Sequence, residues 1–340
     1  MRLLVIRSKA ELSVKGKSSL VIKSEKAERE RGLRDVDAVL IIGGGVKISS
    51  SVPPVLSLFN IPLSIVSRGN ITIMINPIVT RYNNYRRLQY TLDKTKALEI
   101  ALGYINAKIN GMINILKYHR VEPPAIPEAP LMSNDPEKLE HDIRTWESLA
   151  SNKLWDSLVK LIKNEQLAEL KTRYDFQGRK PRHADPFNKT LSVMYSVIYT
   201  LATKALIAAG LDPTYGFLHK TSYSTPLTFD YTEMFKPIAI EATISMINNN
   251  GIPELDDDGD LKKEHVNEAI KTLYKYITLK HKDTGKTPYQ QIYLKAFCLA
   301  RYLEGRCKRE NLTLTWNRAL YREQGIKKNT TKPSVKNKQD

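Results

Sequence analysis

The first 80 residues carry short runs of apolar, mostly β-branched residues, which glycine, serine, asparagine or charged residues interrupt every few positions. Runs of this length between turn-forming residues are typical of β-strands. A short helix, Val55–Phe59, is predicted after Pro53 and Pro54, because proline is accepted in the first turn of a helix. The strands that the pattern predicts are Leu3–Arg7, Leu20–Lys23, Ala38–Ile42, Leu63–Ser67 and Ile71–Ile75.

From Arg81 onward the apolar residues recur every three or four positions, which is the period of an α-helix. Pro186 opens one of these segments and Gly210 follows its end, as is usual for helix ends. The segment that starts at Asp230 is apolar on nearly all sides, so we expect it at the centre of the core. The predicted helices are Tyr82–Lys117, His141–Lys163, Pro186–Ala209, Asp230–Asn248, Lys262–Leu279 and Pro288–Leu303.

These patterns predict an α+β multidomain protein. A small N-terminal β domain, residues 1–80, precedes a larger all-α catalytic domain, residues 81–324. Residues 325–340 contain five lysines and almost no apolar side chains, so we expect a disordered basic tail. No stretch approaches about 18 uninterrupted apolar residues, and the N-terminus lacks the apolar run of a signal peptide. We therefore expect neither a membrane span nor secretion.

The use of cysteine favours a reducing compartment. Cys298 and Cys307 are the only cysteines, and they lie nine positions apart with no Cys-x-x-Cys pair. This arrangement matches neither a zinc site nor the disulfide framework of a small secreted protein. We therefore predict a cytoplasmic protein whose cysteines form no disulfide framework.

The balance of charge narrows the class of partner. The chain has 53 lysine and arginine residues against 36 aspartate and glutamate residues, a formal net charge of +17. A field of this sign attracts polyanions, of which nucleic acid is the most common. Two alternatives stay open: a basic protein without a specific polyanion, and binding to an anionic membrane, although no basic amphipathic anchor is evident.

Two acidic residues occupy positions where apolar residues are expected. Glu147 lies on the apolar stripe of its predicted helix, and Glu233 lies on an apolar face one turn after Asp230. A buried carboxylate must be paired, protonated or bound to a cation. Together with His219, which follows a turn between the two helices, they form a donor set that suits a divalent cation, Mn²⁺ better than Mg²⁺. The alternative is that each acid pairs with a buried lysine or arginine and that His219 caps a helix.

Several motifs resemble those of the CRISPR-associated integrase and endonuclease of spacer acquisition. Gly216–His219, followed after eleven residues by Asp230–Pro237, matches the family's G-F-L-H and D-x-x-E-x-F-[RK]-P signature. Glu147–Trp155 resembles its E-G-x-A-A-x-x-Y-W motif, and Arg179–Asn188 is similar to its basic R-x-R…D-P-x-N stretch. The positions that depart from these two motifs are Ser148, Ser151, Leu154, His183 and Ala184.

The resemblance extends over nearly the whole chain and implies a metal-dependent DNA integrase with nuclease activity. It implies that Glu147, His219 and Glu233 ligate Mn²⁺ or Mg²⁺, and that Asp230 orients a ligand or aids proton transfer. The implied reaction is a transesterification, in which the 3′-hydroxyl of a short DNA fragment attacks a phosphodiester of repeat DNA. The family acts as a homodimer joined through its N-terminal domains, and a small ferredoxin-like partner protein bridges two such dimers.

Basic residues just before the helix at Pro186 are candidate DNA contacts. Arg179, Lys180, Arg182 and Asn188 offer hydrogen-bond donors near the predicted metal ligands, and we interpret them as contacts to phosphates. The alternative is a solvated run of charges. Two other functions stay open for the chain: a transposon-encoded integrase of the same fold, and a non-catalytic DNA- or RNA-binding protein whose acids form buried ion pairs.

Overall fold

The strands near the N-terminus form two four-stranded sheets. This computed structural model describes residues 2–7, 9–25, 27–59, 61–67, 70–74, 83–180, 184–219 and 224–323. The strands are β1 (Leu3–Arg7), β2 (Ala10–Lys15), β3 (Ser19–Ser24), β4 (Ala27–Gly32), β5 (Ala38–Ile42), β6 (Lys47–Ile48), β7 (Leu63–Ser67) and β8 (Asn70–Met74), with β9 (Lys280–His281) and β10 (Tyr321–Arg322) later in the chain. The first sheet has the order β1–β5–β7–β8 and the second the order β4–β3–β2–β6. In the first sheet β1, β5 and β7 run parallel, and β8 is antiparallel to β7.

Helices account for most of the rest of the fold. They are α1 (Val52–Leu58), α2 (Asn83–Tyr90), α3 (Lys94–Tyr118), α4 (Pro136–Leu158), α5 (Asn164–Tyr174), α6 (Pro186–Ala208), α7 (Pro226–Thr232), α8 (Lys236–Asn250), α9 (Lys263–Ile277) and α10 (Pro288–Leu303). The bounds of β1, β5, β7 and α10 are those predicted from the sequence.

Two long helices of the prediction are divided in the structure. The predicted helix Tyr82–Lys117 becomes α2 and α3, because the Asp93 side chain accepts a hydrogen bond from the backbone N–H of Lys96 at 3.1 Å and starts a new helix. The predicted helix Asp230–Asn248 becomes α7, a 3₁₀ turn at Glu233–Phe235, and α8. Pro237 stands in the first turn of α8, where a missing backbone N–H is tolerated.

The prediction of an all-α second domain is wrong in one detail. The strands β9 and β10 pair antiparallel, with Tyr321 opposite His281, so that the helical part of the chain contains a small sheet. The predicted domain border near residue 80 falls in the segment 75–82, which lies outside the described residues, as does the predicted basic tail, residues 325–340.

Helix α6 is the central helix and joins the helical part to the first sheet. The Ser64 hydroxyl of β7 forms a hydrogen bond with the Thr200 hydroxyl of α6, and the Lys204 ammonium lies 3.5 Å from the Asp37 carboxylate. By length and composition alone α6 is long and apolar enough to cross a membrane. Its most apolar stretch of 18 residues is, however, 83% buried inside the fold. This burial is typical of the core helix of a globular protein.

Close packing of α3 against α8 brings two cationic side chains together. A Cβ atom on Gly111 of α3 would lie 2.7 Å from Cγ and 2.9 Å from Cβ of Pro237, so only glycine fits this contact without movement. The contact lies one turn from Lys108 on α3 and one residue from Lys236 on α8. The missing side chain therefore allows both lysines to enter the same buried region.

The prediction that the cysteines form no disulfide framework is wrong, because they form one disulfide. The sulfur atoms of Cys298, in α10, and Cys307, after its end, are bonded, with their Cα atoms 5.7 Å apart. Helix α10 ends at Leu303, and Gly305 adopts a left-handed φ of 73°, which reverses the direction of the chain. This turn brings together two residues whose spacing in the sequence does not reveal it.

Candidate active site

Three segments of the chain meet around a buried lysine. The ammonium of Lys108, on α3, forms a hydrogen bond with Oε1 of Glu147 on α4, and it lies 2.9 Å from Oε2 of Glu233, between α7 and α8. The side chains of Lys108 and Glu233 are only 9% and 3% exposed, whereas that of Glu147 is 24% exposed. The two acids identified in the sequence therefore converge, and the cation on which they converge is a lysine, as the alternative interpretation expected.

Glu233 is held as a carboxylate by the charges around it. Lys236 contacts its Oε1 at 2.5 Å, whereas Oε2 accepts no hydrogen bond from the described part of the chain, although the Lys108 ammonium is close. Burial alone would raise the pKa of Glu233, but Lys108, then Lys236 and His219, outweigh burial and lower this pKa well below its usual value. Burial likewise opposes ionisation of Lys108 and Lys236, but Glu233 raises the pKa of both. Glu233, Lys108 and Lys236 are therefore all charged at neutral pH.

Asp230 fixes the turn that carries His219. Its Oδ1 accepts a hydrogen bond from the backbone N–H of His219 at 3.0 Å and lies 2.6 Å from the ring Nδ1. Its Oδ2 accepts hydrogen bonds from the backbone N–H groups of Phe217 and Leu218 at 2.5 and 3.0 Å. Because Nδ1 is engaged by Asp230, a bond from this imidazole to a metal ion would have to come from Nε2.

Gly216 and Arg144 support the same turn from other sides. A Cβ atom on Gly216 would lie 2.5 Å from Cβ of Pro226 and 2.7 Å from the carbonyl oxygen of His219, so the turn requires glycine. Arg144 of α4 donates a hydrogen bond at 2.5 Å to the carbonyl oxygen of Leu218. Helix α4, which supplies one of the two acids, is thereby tied directly to the turn.

A cavity of about 380 Å³ opens beside the acids and is rich in positive charge. Four cationic side chains line it, together with Glu147 and the aromatic rings of Trp155 and Tyr195. The Tyr195 ring also lies beneath two cations, because the Arg179 guanidinium is 5.8 Å and the Lys236 ammonium 5.6 Å from its centre. The four cations are those of Lys108, Arg144, Arg179 and Lys236.

The predicted phosphate contacts differ in their surroundings. Arg179 lines the cavity, whereas the exposed Lys180 lies beside it in sequence and does not. Asn188 is 1% exposed, and its side-chain oxygen accepts hydrogen bonds from Arg179 and from the backbone N–H of Lys180 at 2.9 and 3.2 Å. In the structure the buried amide therefore holds the basic segment in place, and a contact of Asn188 with DNA stays a prediction. Arg182 lies outside the described residues.

The donor chemistry of the site fits a divalent cation. Among the described residues no three histidine, cysteine, aspartate or glutamate side chains are gathered tightly enough to hold a metal ion. Two carboxylates nevertheless converge on one cation, the ammonium of Lys108, which contacts both Glu147 and Glu233. Carboxylate oxygens with one imidazole, that of His219, suit Mn²⁺ or Mg²⁺.

Lys108, Arg144 and Lys236 are site residues that the sequence analysis did not single out. Lys108 lies among buried apolar side chains of α3, including Ile105 and Met112 one turn to either side. A charge on an apolar helical stripe is the same signal that identified Glu147, so it was available in the sequence. Arg144 carries no such signal, because it lies on the exposed side of α4 and acts through its long side chain.

Comparison with known proteins identifies the family. The sequence profile of the family described as CRISPR associated protein Cas1 matches residues 3–276, which is most of the chain. This chain belongs to the Cas1 family. A CRISPR-associated endonuclease Cas1 of Hyperthermus butylicus is 29% identical over 242 residues, covering 65% of this chain and 70% of that protein. A second Cas1 endonuclease, from Pyrobaculum aerophilum, is 25% identical over 235 residues, covering 68% of this chain and 77% of the relative.

Solved structures share the Cas1 fold of this chain. A casposase bound to an integration product has a TM-score of 0.74 and 24% identity, and covers 93% of this chain and 94% of its own. A Cas1 protein from Thermotoga maritima has a TM-score of 0.72 and 17% identity, with 89% of this chain covered and 97% of that protein. A Cas6-RT-Cas1–Cas2 complex has a TM-score of 0.69 and 18% identity, and covers 93% of this chain and 36% of the matched chain. At these identities the likeness establishes the fold.

Proposed function

We propose that this chain is a metal-dependent DNA endonuclease and integrase that inserts short DNA fragments into a CRISPR array by transesterification. The observation that carries the proposal is the convergence of two carboxylates, Glu147 and Glu233, on one cation beside a cavity lined by positive charges. Phosphoryl transfer depends on positioning and electrostatics more than on covalent catalysis, and this arrangement provides both. Membership of the Cas1 family, with relatives named endonucleases, supports the same activity.

Glu147, His219 and Glu233 are the proposed ligands of Mn²⁺ or Mg²⁺. When bound, such a cation polarises the attacked phosphate and lowers the pKa of the attacking hydroxyl. Asp230 acts as a positioning residue, because its contact with Nδ1 sets the orientation and tautomer of the His219 ring. Glu233 can ligate without losing a proton, since its pKa is already lowered.

The cavity is the proposed binding site for DNA phosphates. Arg144, Arg179 and Lys236 line it and can donate charge-assisted hydrogen bonds to non-bridging phosphate oxygens. A 3′-hydroxyl placed there attacks phosphorus in repeat DNA; a new P–O bond forms as the bond to the leaving 3′-oxygen breaks. The attacking hydroxyl loses its proton and the leaving oxygen gains one. With water as the nucleophile, the same site hydrolyses DNA.

A homodimer joined through the N-terminal strands is the proposed assembly. β4 is an edge strand of the second sheet, its residues 27–31 are exposed, and residues 28–31 read Glu-Arg-Glu-Arg. Antiparallel pairing with β4 of a second copy would place Glu28 opposite Arg31 and Arg29 opposite Glu30. A chain that sediments as a monomer at micromolar concentration would contradict the dimer.

A small ferredoxin-like protein is the proposed further partner, supported by the fold shared with a Cas6-RT-Cas1–Cas2 complex.

The decisive experiment is a strand-transfer assay with a matched pair of buried acids. Purified full-length chain is mixed with a DNA fragment bearing 3′-hydroxyl ends, a supercoiled plasmid that carries a repeat, and Mn²⁺. We expect Glu233→Gln to reduce transfer by about 100-fold or more, with DNA affinity retained, because the carboxylate acts in the reaction. The control is Glu241→Gln: Glu241 is also 2% exposed, but its carboxylate contacts Trp316, at 2.5 Å, and His119, whereas that of Glu233 contacts Lys108 and Lys236. Equal activity of wild type and Glu233→Gln would refute the proposal.

Two alternatives make different predictions in this assay or outside it. A non-catalytic binding protein would give no transfer in any variant, and Glu233→Gln would change only stability or DNA binding. A transposon-encoded integrase would share the active-site chemistry, and a casposase does share the fold; a neighbouring repeat array in the genome would favour the CRISPR role.

The disulfide removes the cysteine argument for a reducing compartment, so the proposed cytoplasmic location rests on the DNA substrate.

A further inference from the structure

Lys108 occupies the position between the two acids. Its ammonium forms a hydrogen bond with Glu147, lies 2.9 Å from Glu233, and belongs to a residue that is only 7% exposed. Within the described part of the chain it is the one cationic group in contact with both carboxylates, since Lys236 contacts only Glu233. The two acids are therefore held together by a cation that the chain itself supplies.

A divalent cation bound by the same two carboxylates needs the same space. Its bonds to oxygen are about 2.0 to 2.5 Å long, which places it between Glu147 and Glu233, where the ammonium now lies. Two cations in contact with the same oxygens repel each other strongly at this degree of burial. The lysine contact and the metal contact therefore exclude one another.

The surroundings allow the ammonium, but not the helix, to move. Lys108 lines the 380 Å³ cavity, so its flexible side chain has open space beside it. The backbone of α3 is held by the close contact between Gly111 and Pro237. Displacement of the lysine from the acids is thus a change of side-chain conformation within a fixed frame.

We propose that Lys108 is a built-in competitor for the metal site: its ammonium keeps Glu147 and Glu233 assembled before metal binds, and it must leave them when a divalent cation enters. The inference rests on the proposed role of these acids as metal ligands. It makes Lys108 a positioning residue that sets metal affinity. While the lysine-bound arrangement predominates, only a small fraction of molecules have free acids. The apparent affinity for metal is then the intrinsic affinity multiplied by that fraction.

Titration of Mn²⁺ into the full-length chain without DNA tests the inference, with calorimetry as the readout. Lys108→Met removes the ammonium and keeps a chain of similar length, so we expect Mn²⁺ to bind about tenfold more tightly than to wild type. The metal-free variant should unfold at a lower temperature, because two carboxylates lose their counter-ion, and Mn²⁺ should restore more stability to it than to wild type. If Lys108→Met does not fold, the same titration is made with Lys108→Gln, whose side chain is also uncharged.

The controls separate this inference from the proposed function. Lys117→Met changes an exposed lysine of the same helix and should leave Mn²⁺ affinity unchanged. Glu233→Ala should abolish Mn²⁺ binding; if wild type binds Mn²⁺ and Glu233→Ala binds it equally well, the proposed metal site is wrong. If Glu233→Ala loses binding but Lys108→Met binds Mn²⁺ no more tightly than wild type, or more weakly, the competitor role is wrong and the metal site stands.

Discussion

Replacing Asp230 with asparagine would test how the turn that carries His219 is held. The carboxylate has two acceptor oxygens: one serves the backbone N–H and ring of His219, and the other serves the N–H groups of Phe217 and Leu218. Asparagine has nearly the same shape, but it has one oxygen and one NH₂ group. With its NH₂ group toward Phe217 and Leu218, two backbone donors lose their acceptor. With its NH₂ group toward His219, the backbone N–H of His219 loses its acceptor, whereas the ring Nδ1 can accept after a change of tautomer.

The contacts give the size of the expected effect. Asp230 is 2% exposed, so water does not replace the lost acceptor. Each buried donor left without a partner costs about 1–3 kcal/mol, so one or two such donors lower the free energy of unfolding by about 1–6 kcal/mol. The turn relaxes to relieve them, and a shift of about 1 Å in the imidazole of His219 reduces the rate about 100-fold.

Urea unfolding and strand transfer, measured on the same preparations, would test both parts of this prediction. Asp230→Asn should unfold at a lower urea concentration than wild type and lose transfer activity while it still binds DNA. Asp257→Asn, in an exposed acidic turn, removes the same charge without these contacts and should match wild type in both measurements. Wild-type stability together with wild-type transfer in Asp230→Asn would refute the role assigned to this carboxylate.

Two further predictions concern the disulfide and the turn before Gly216. Reduction of the bond between Cys298 and Cys307 should lower the free energy of unfolding by about 2–3 kcal/mol, as the closure of a loop of this length implies, and a double serine variant should not respond to reductant. Burial alone would raise the pKa of Asp212, but hydrogen bonds from Thr214 and Tyr90 outweigh it, so the pKa is lowered in the folded chain. The stability that Asp212 contributes is therefore complete above its unfolded pKa of about 3.9 and is lost as the pH falls through the folded value. Between about pH 5 and about pH 3 the free energy of unfolding should therefore decrease less in Asp212→Asn than in wild type. Equal decreases in the two proteins would contradict this.

The sequence predicts the fold best where local pattern and tertiary burial agree. The apolar strands β1, β5 and β7 were predicted at their observed bounds, since they pack on a core that their own composition indicates. Strand β4 could not be predicted in this way, because residues 28–31 are all charged and become a strand only by pairing with β3. The disulfide was missed for a similar reason: its geometry depends on a reversal at Gly305 that spacing alone does not reveal.

The candidate site was predictable in its residue types but not in its pairing. Glu147 and Glu233 were identified because a carboxylate on an apolar helical face demands a partner. Their convergence on Lys108 depends on how closely α3 approaches α8, and that distance is set by the contact between Gly111 and Pro237. A contact between residues 126 positions apart cannot be derived from helical periodicity, which describes only one element at a time.

The buried charges at this junction are better explained by chemistry than by stability. Lys108, Lys236, Glu147 and Glu233 carry two positive and two negative charges, and the side chains of Lys108 and Glu233 are nearly inaccessible to water. Replacing a buried ion pair by apolar residues of similar volume is often neutral, or stabilises a protein by about 1–4 kcal/mol, whereas removing one partner alone destabilises it by about 3–5 kcal/mol. A core that needed only stability would therefore gain little from such a group. In the proposed function the two carboxylates must come together before a metal ion binds, and Lys108 is placed where its ammonium can hold them.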